Sequence, residues 1–237
     1  MGYLHQVRIE PDIIKREKIM FVPSESDGFT RVSRGGVFFL LLVAATWRDT
    51  SGGGFLGMTF DTKEGASASP KFFVNKPGPL PELTEAEKAD KKGDAFKAYN
   101  RQKAANGGFR EFLVNIGVTP ADFKDLQSGT AILVLDKNNL TDEEAATIAN
   151  AATKPRIISI VGSRTYGVVA TPEDVGGGEK YTSVIKIGKD EKLLAGDVAA
   201  AGGVAMLCRN LGIKGSSGGG RRVAPQEAGE EDEGSQY

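Results

Sequence analysis

One cysteine and one histidine are all that this 237-residue chain carries of the two types that serve most soft-metal sites and nucleophilic triads. The lone Cys208 excludes an intramolecular disulfide and any cysteine-based zinc site. The lone His5, near the start of the chain, excludes a histidine-rich metal site and argues against a Ser-His-Asp arrangement. Neither a Gly-x-x-x-x-Gly-Lys-Ser/Thr phosphate loop nor a Gly-x-Ser-x-Gly nucleophile elbow occurs. No sign of charge dominates: 30 basic and 31 acidic residues leave a net −1, so there is no overall basic field. The longest apolar run, Val37 to Trp47, is too short for a bilayer crossing, which needs roughly 20 residues. Gln6 occupies the position where a myristoylation signal requires Ser or Thr, and no signal-peptide hydrophobic stretch stands nearby. These features point to a chain made in the reducing cytoplasm, without membrane attachment, cofactor or metal, and lean away from an enzyme.

What is present begins with that apolar run. Gly35 and Gly36 open it, and Arg48, Asp49 and a Ser-Gly-Gly-Gly stretch close it. It reads as a core element, a central strand or a short buried helix, with Val37, Phe38, Phe39 and the flanking glycines favouring the strand. Glycine is enriched, 31 of 237 residues. Gly52 to Gly57 matches G-x-G-x-x-G formally, but Met58 to Thr62 after it reads as a strand where a dinucleotide loop needs a helix, so a turn is expected.

Along the chain, residues 4–9 suggest an edge strand, 12–22 a short helix running into a strand, and 23–28 a loop. Phe55 to Thr62 and Lys71 to Asn75 read as strands separated by residues 65–70. Lys76-Pro-Gly-Pro-Leu-Pro81 breaks regular structure and is the expected boundary between a β-rich region, 1–76, and an α+β region, 82–213. Thr84-Glu-Ala-Glu87 has capping-box spacing and opens a helix expected to stop at Asn106-Gly-Gly108. Short helices follow at 109–116 and, after Thr119-Pro120, at 121–127; Thr141-Asp-Glu-Glu144 caps another to 152. The Thr141 cap also accounts for the formal glycosylation sequon Asn139-Leu-Thr141. Strands are expected at 130–135, 157–161, 166–171 and 181–187, and a last helix at 191–211. The fold class is α+β, with packed helices and a mostly antiparallel sheet, because the last three strands lack helical crossovers between them. Residues 214–237 form a Gly-rich, acidic tail that cannot bury enough apolar surface to order itself.

The constellation that carries chemistry is basic and aromatic. Lys88, Lys91, Lys92, Lys97, Arg101 and Lys103 lie along one predicted helix with Phe96 and Tyr99 between them, and Arg110 follows. Cations for phosphates interleaved with rings for bases are what a single-stranded nucleic-acid groove uses. The same charges, acids early and bases late, also complement a helix dipole, and Glu87 with Lys91 forms an i,i+4 pair. Arg156 and Arg164, with Lys154, Arg31, Arg34, Arg221 and Arg222, are further cations that a fold could bring to the same patch. Small residues from Ala195 to Ala205 on the last helix suggest close approach of another backbone, in the same chain or a second subunit. Cys208, among Val204, Met206 and Leu207, reads as a small buried hydrophobe.

Together these features lead to the expectation of a self-assembling structural subunit, a capsid or nucleocapsid-type coat protein that packages single-stranded RNA in a virion as a homo-oligomer. A non-enzymatic scaffold or binding subunit of another assembly, and a carboxylate-based enzyme with a cleft between the two halves, are the alternatives.

Overall fold

The structure, a computed structural model of the chain, describes residues 32–50, 53–177 and 181–214. The elements expected before residue 32, and the acidic tail from residue 215, lie outside the described residues.

The long apolar run is a strand, β1 (Gly36–Thr50), and its side chains alternate about one sheet. It pairs antiparallel with β2 (Gly53–Thr62) from Leu40 to Thr50, with a bulge between Leu42 and Ala44. From Gly36 to Leu41 it pairs on its other edge with β6 (Arg164–Ala170), also antiparallel. Beside β2 lies β3 (Ser67–Pro70), and beside β6 lies β7 (Ser183–Gly188). The ring closes through a parallel β3–β7 pair, Ser69 opposite Ser183 and Pro70 opposite Val184. Thr182 reinforces the seam by donating from its hydroxyl to the Ser67 carbonyl at 3.1 Å. The result is a closed five-stranded barrel in the order β1-β2-β3-β7-β6.

Leu40, Leu42, Leu56, Met58, Phe60, Ala68, Val169 and Val184 fill the barrel interior. Ala68 faces Phe60 in register, and the small residue opposite the large one is how a narrow barrel is packed. Hence the third strand is Ser67–Pro70, where the sequence suggested a separating loop. Lys71 to Asn75 continues the edge of β2 irregularly, through Leu56 N–H to the Val74 carbonyl (2.8 Å) and a single Phe55–Asn75 bridge.

Between β3 and β6 the chain makes a helical insert: α1 (Glu85–Ala89), α2 (Asp94–Asn115), α3 (Pro120–Ser128), β4 (Ala131–Val134), α4 (Asp142–Asn150) and β5 (Arg156–Ser159). Phe112, Leu113 and Ile116 of α2 join the barrel's own core cluster, and the Thr165 hydroxyl holds the Asn115 carbonyl at 2.7 Å. The proline loop, residues 76–81, connects β3 to this insert, and the barrel draws strands from both sides of it. After β6 come α5 (Pro172–Val175), then β7, α6 (Glu191–Ala201) and α7 (Val204–Asn210). Val175, Leu194, Val204, Leu207 and Cys208 from these helices cover Val168, Ala170 and Ile185 on the outside of β6 and β7.

The α+β class holds, and four of the six strand pairings among the described residues are antiparallel. Three local expectations are corrected. β5 pairs parallel with β4 across the α4 crossover, not antiparallel with β6. The helix opened by Thr84 breaks at residues 90–93, where the Asp90 carboxylate takes the N–H groups of Lys92 and Gly93, and then runs unbroken through Asn106-Gly-Gly108. It continues there because Asn106 is latched to the proline loop: its side chain accepts from Gly78 N–H at 3.0 Å and donates to the Gly78 carbonyl at 2.9 Å. The last helix is two, split where Gly202 (φ 84°) and Gly203 (φ 118°) turn left-handed, so those glycines serve a corner and not a close helix contact.

A β-carbon on Gly107 or Gly108 would meet nothing within 4 Å, whereas one on Gly167 would lie 2.4 Å from Leu40 Cδ1 inside the barrel. Gly107→Ala and Gly108→Ala should therefore each stabilise the fold by about 0.5–1 kcal/mol in urea unfolding. Gly167→Ala should destabilise it by about 1–3 kcal/mol, and a neutral Gly167→Ala would contradict this barrel packing.

Candidate functional site

The basic residues singled out from the sequence do not converge. Lys88 on α1 pairs with Glu85 at 2.6 Å, and Lys97 on α2 pairs with Asp94 at 3.4 Å, both exposed helix pairs of small energetic weight. Lys91, Lys92, Arg101 and Lys103 are exposed on or just before α2, with Tyr99 half-buried beside them. Arg110 lies with its guanidinium 5.0 Å over the Phe123 ring of α3. Arg156 on β5 is held by two carboxylates of α3, Asp122 at 2.6 Å and Asp125 at 2.7 Å. These two arginines brace α3 against its neighbours, which is a structural task. Arg164 stands elsewhere, on the barrel, with Leu41 as its cross-strand partner.

The barrel wall itself carries a second constellation. Along β1 the outward positions are Phe39, Leu41, Val43 at the bulge, Ala44, Thr46 and Arg48; along β2 they are Phe55, Gly57, Thr59 and Asp61. Helices α5 to α7 cover the β6–β7 side of the barrel and α6 reaches β1, where Val37 packs against the helical cluster, but among the described residues no helix packs extensively on β2 or β3. Leu41 and Val43 are each 37% exposed in consequence, and Phe73, just past β3, is 68% exposed.

An aromatic that exposed is held in place by its neighbour. The rings of Phe55 and Phe73 meet edge to face, with centroids 5.3 Å apart and planes at 85°. Arg48 faces Phe55 across the β1–β2 ladder, and its side chain lies over Gly57: a β-carbon there would be 2.7 Å from Arg48 Nε. Glycine at 57 thus leaves the space that the Arg48 side chain occupies over the sheet. At the other end of the face Lys63 sits 5.0 Å over the Phe39 ring, and Phe39 meets Tyr166 edge to face at 5.4 Å. Lys76 borders the Phe55–Phe73 end, 3.7 Å from Asp49. Asp61, near the Lys63 end of the face, accepts from the Ser67 hydroxyl at 2.6 Å.

Sequence reasoning missed Arg48, Phe55, Phe73 and Lys63, although a signal was present. Leu56, Met58, Phe60 and Thr62 alternate as the buried side of β2, which places Phe55 on the opposite face. Adjacent Phe72 and Phe73 cannot both point inward from an extended chain; Phe72 packs on the core and Phe73 faces out. Among the described residues no cluster of His, Cys, Asp or Glu could hold a metal ion. Cys208 is buried, and its thiol is pushed up by that burial. No helix among the described residues is long and apolar enough to cross a membrane. Comparison with family models, curated proteins and solved structures finds no match to this chain.

The bracing role of Arg156 has a pH signature. Asp122 is held down to about 2, first by the Thr119 backbone N–H, then by the Thr119 hydroxyl, then by Arg156. A carboxylate with a depressed folded-state value stabilises fully above its unfolded value, about 4, and loses that contribution as pH falls through about 2. Thermal midpoints of the wild type should therefore fall between about pH 4 and pH 2 more steeply than those of Asp122→Asn; parallel curves would show that the Asp122 interactions do not form.

Proposed function

We propose that this protein binds single-stranded nucleic acid across the outer face of β1, β2 and β3, as a binding protein and not as an enzyme. The observation that carries the reading is Phe73, an exposed ring braced by Phe55 and set near Arg48, whose side chain lies over Gly57, at the end of a sheet face on whose β2 and β3 strands no helix packs extensively among the described residues. Exposed rings stack on any base, and cations beside them meet the backbone, which together give affinity without sequence preference. Topology supports the same reading. A five-stranded ring closed by a parallel pair between its third and fifth barrel strands, with a helix between the third and fourth packed into its core, has the order of an OB-fold. Such barrels bind oligonucleotides and oligosaccharides on the face of their second and third strands. Fold alone does not assign function, so the weight rests on the residues. Arg48 and Lys63 on the face, with Arg164 on neighbouring β6, offer cationic partners to phosphates beside the acid Asp61.

The coat protein expected from the sequence would use this same face for RNA and would need self-association besides. Light scattering coupled to size exclusion separates the two. Discrete small particles that bind added oligonucleotide fit the binding protein, whereas large nuclease-sensitive particles with excess absorbance at 260 nm fit packaging.

Arg48→Ala and Phe73→Ala should each weaken binding of oligothymidylate or oligouridylate about tenfold, with thermal midpoints near that of the wild type. Gly57→Ala should reproduce part of the Arg48→Ala loss by crowding the guanidinium off the sheet. Arg156→Ala should leave affinity unchanged, because that side chain is committed to Asp122 and Asp125. Wild-type protein that binds neither oligomer at low salt would sink the proposal, as would Arg48 and Phe73 variants that bind like the wild type.

A further inference from the structure

The barrel face does not end at Phe73. The chain runs directly from that ring into Lys76 and the proline loop, whose first residue is fixed to the β1–β2 hairpin by Lys76 N–H to the Gly54 carbonyl at 2.7 Å. The loop is then fixed to α2 by the paired Asn106–Gly78 hydrogen bonds, with Gln102 donating to the same Asn106 oxygen at 3.0 Å. Two anchors therefore hold the loop as a bridge from the barrel face to the helical insert. At its far end the loop and the start of α2 enclose an open cleft of about 510 Å³, lined by Leu80, Pro81, Leu83, Lys88, Phe96 and Tyr99. That volume is in the range of small-molecule sites, about 300–1,000 Å³. Phe96 and Tyr99 are three residues apart on α2, so both rings face the same side of the helix.

We infer that a strand bound on the barrel continues past Phe73 and Lys76 along the proline loop and places one unpaired base in the cleft against Tyr99 and Phe96. This rests on the reading of the barrel face as the nucleic-acid site. Three features select a nucleobase as occupant. Two rings, Phe96 and Tyr99, stand in its lining with Leu80, Pro81 and Leu83, beside the charged Glu82 and Lys88, which suits a flat ring system with polar edges. Glu82, also at the cleft, offers an acceptor for a base N–H, such as N3–H of thymine or uracil. The exposed cations Lys91 and Lys92 lie in the chain between Lys88 and Phe96 of the cleft lining, and are the groups assigned to the phosphates flanking an inserted base. Lys88 is paired with Glu85, so the two following lysines carry the phosphate contacts. The basic helix start and the barrel face then form one continuous path, and the lysines at the start of α2 act on long strands only.

The test is affinity against length on the full chain, by fluorescence anisotropy with labelled oligothymidylates and oligouridylates of about 4 and about 16 nucleotides, the span of OB-fold site sizes. Tyr99→Ala should weaken the longer oligomer about tenfold and leave the shorter one unchanged. The double variant Lys91→Glu/Lys92→Glu, wholly on exposed positions, should do the same and flatten the salt dependence of the longer oligomer. Phe73→Ala should weaken both lengths. Loss at both lengths for Tyr99→Ala would mean that Tyr99 acts through the fold, and would overturn the path if the double lysine variant also spared the longer oligomer. Unchanged affinity at both lengths in both cleft variants would overturn it outright, leaving the barrel reading in place and the cleft to an apolar peptide. Failure of the wild type to bind either length would remove the barrel reading and this inference together.

Discussion

Everything in this molecule depends on one strand having two neighbours. Strand β1 gives its first half to β6 and its second half to β2, and at Leu40 and Leu41 it is paired on both edges at once. A strand that passes from one partner to the other must coil, and the bulge between Leu42 and Ala44 supplies the local bend. Coiling brings β3 and β7 within pairing distance, and closure removes the free edges that would otherwise be left on β3 and β7. Inside the ring, Leu40 and Leu42 are fully buried against Phe60, Val169 and Val184. The apolar run is thus long because one strand serves two partners, β6 and β2.

Closure creates an outside as well as an inside, and the chain covers only part of it. The three C-terminal helices lie on β6, β7 and the start of β1, with Val168, Ala170 and Ile185 buried beneath them. The wall made by β1, β2 and β3 keeps small and polar residues in its middle (Ala44, Thr46, Gly57, Thr59), with aromatics and cations towards its ends. That division is a direct outcome of strand alternation. Each residue that fills the barrel has two neighbours in sequence that do not, and their chemistry is free to serve binding. The cations that are busy elsewhere make the contrast plain: Arg110 and Arg156 are tied to α3, whereas Arg48 lies over a glycine on the open sheet.

Much of the local structure was legible in the residues. Thr84 with Glu87 and Thr141 with Glu144 announce helix starts through their spacing, and both form complete capping boxes. Thr119 with Pro120 does the same, with Asp122 closing the box. The same signature in Thr171-Pro-Glu-Asp174 passes unnoticed because strand-like residues precede it and the helix it caps is a single turn. Helix ends were less legible. Asn106-Gly-Gly108 reads as a stop, but two hydrogen bonds to Gly78, 28 residues away, outweigh the local preference. Gly202 and Gly203 read as helix interior, yet their φ values make a corner that lets α7 turn back onto the barrel.

The sequence by itself determined the long strands β1 and β2 and the helix starts at Thr84, Thr119 and Thr141, because alternation and capping are written within a few residues. It also determined that no disulfide can form within this chain, since one cysteine has no second to pair with. Only the tertiary structure decided that the strands close into a ring, since the closing contacts join residues as distant as Ser67 and Thr182. It alone decided which cations are spent on neighbours and which face outward. Charge can be read from composition, but whether a charge is paired depends on what the fold places within about 4 Å of it.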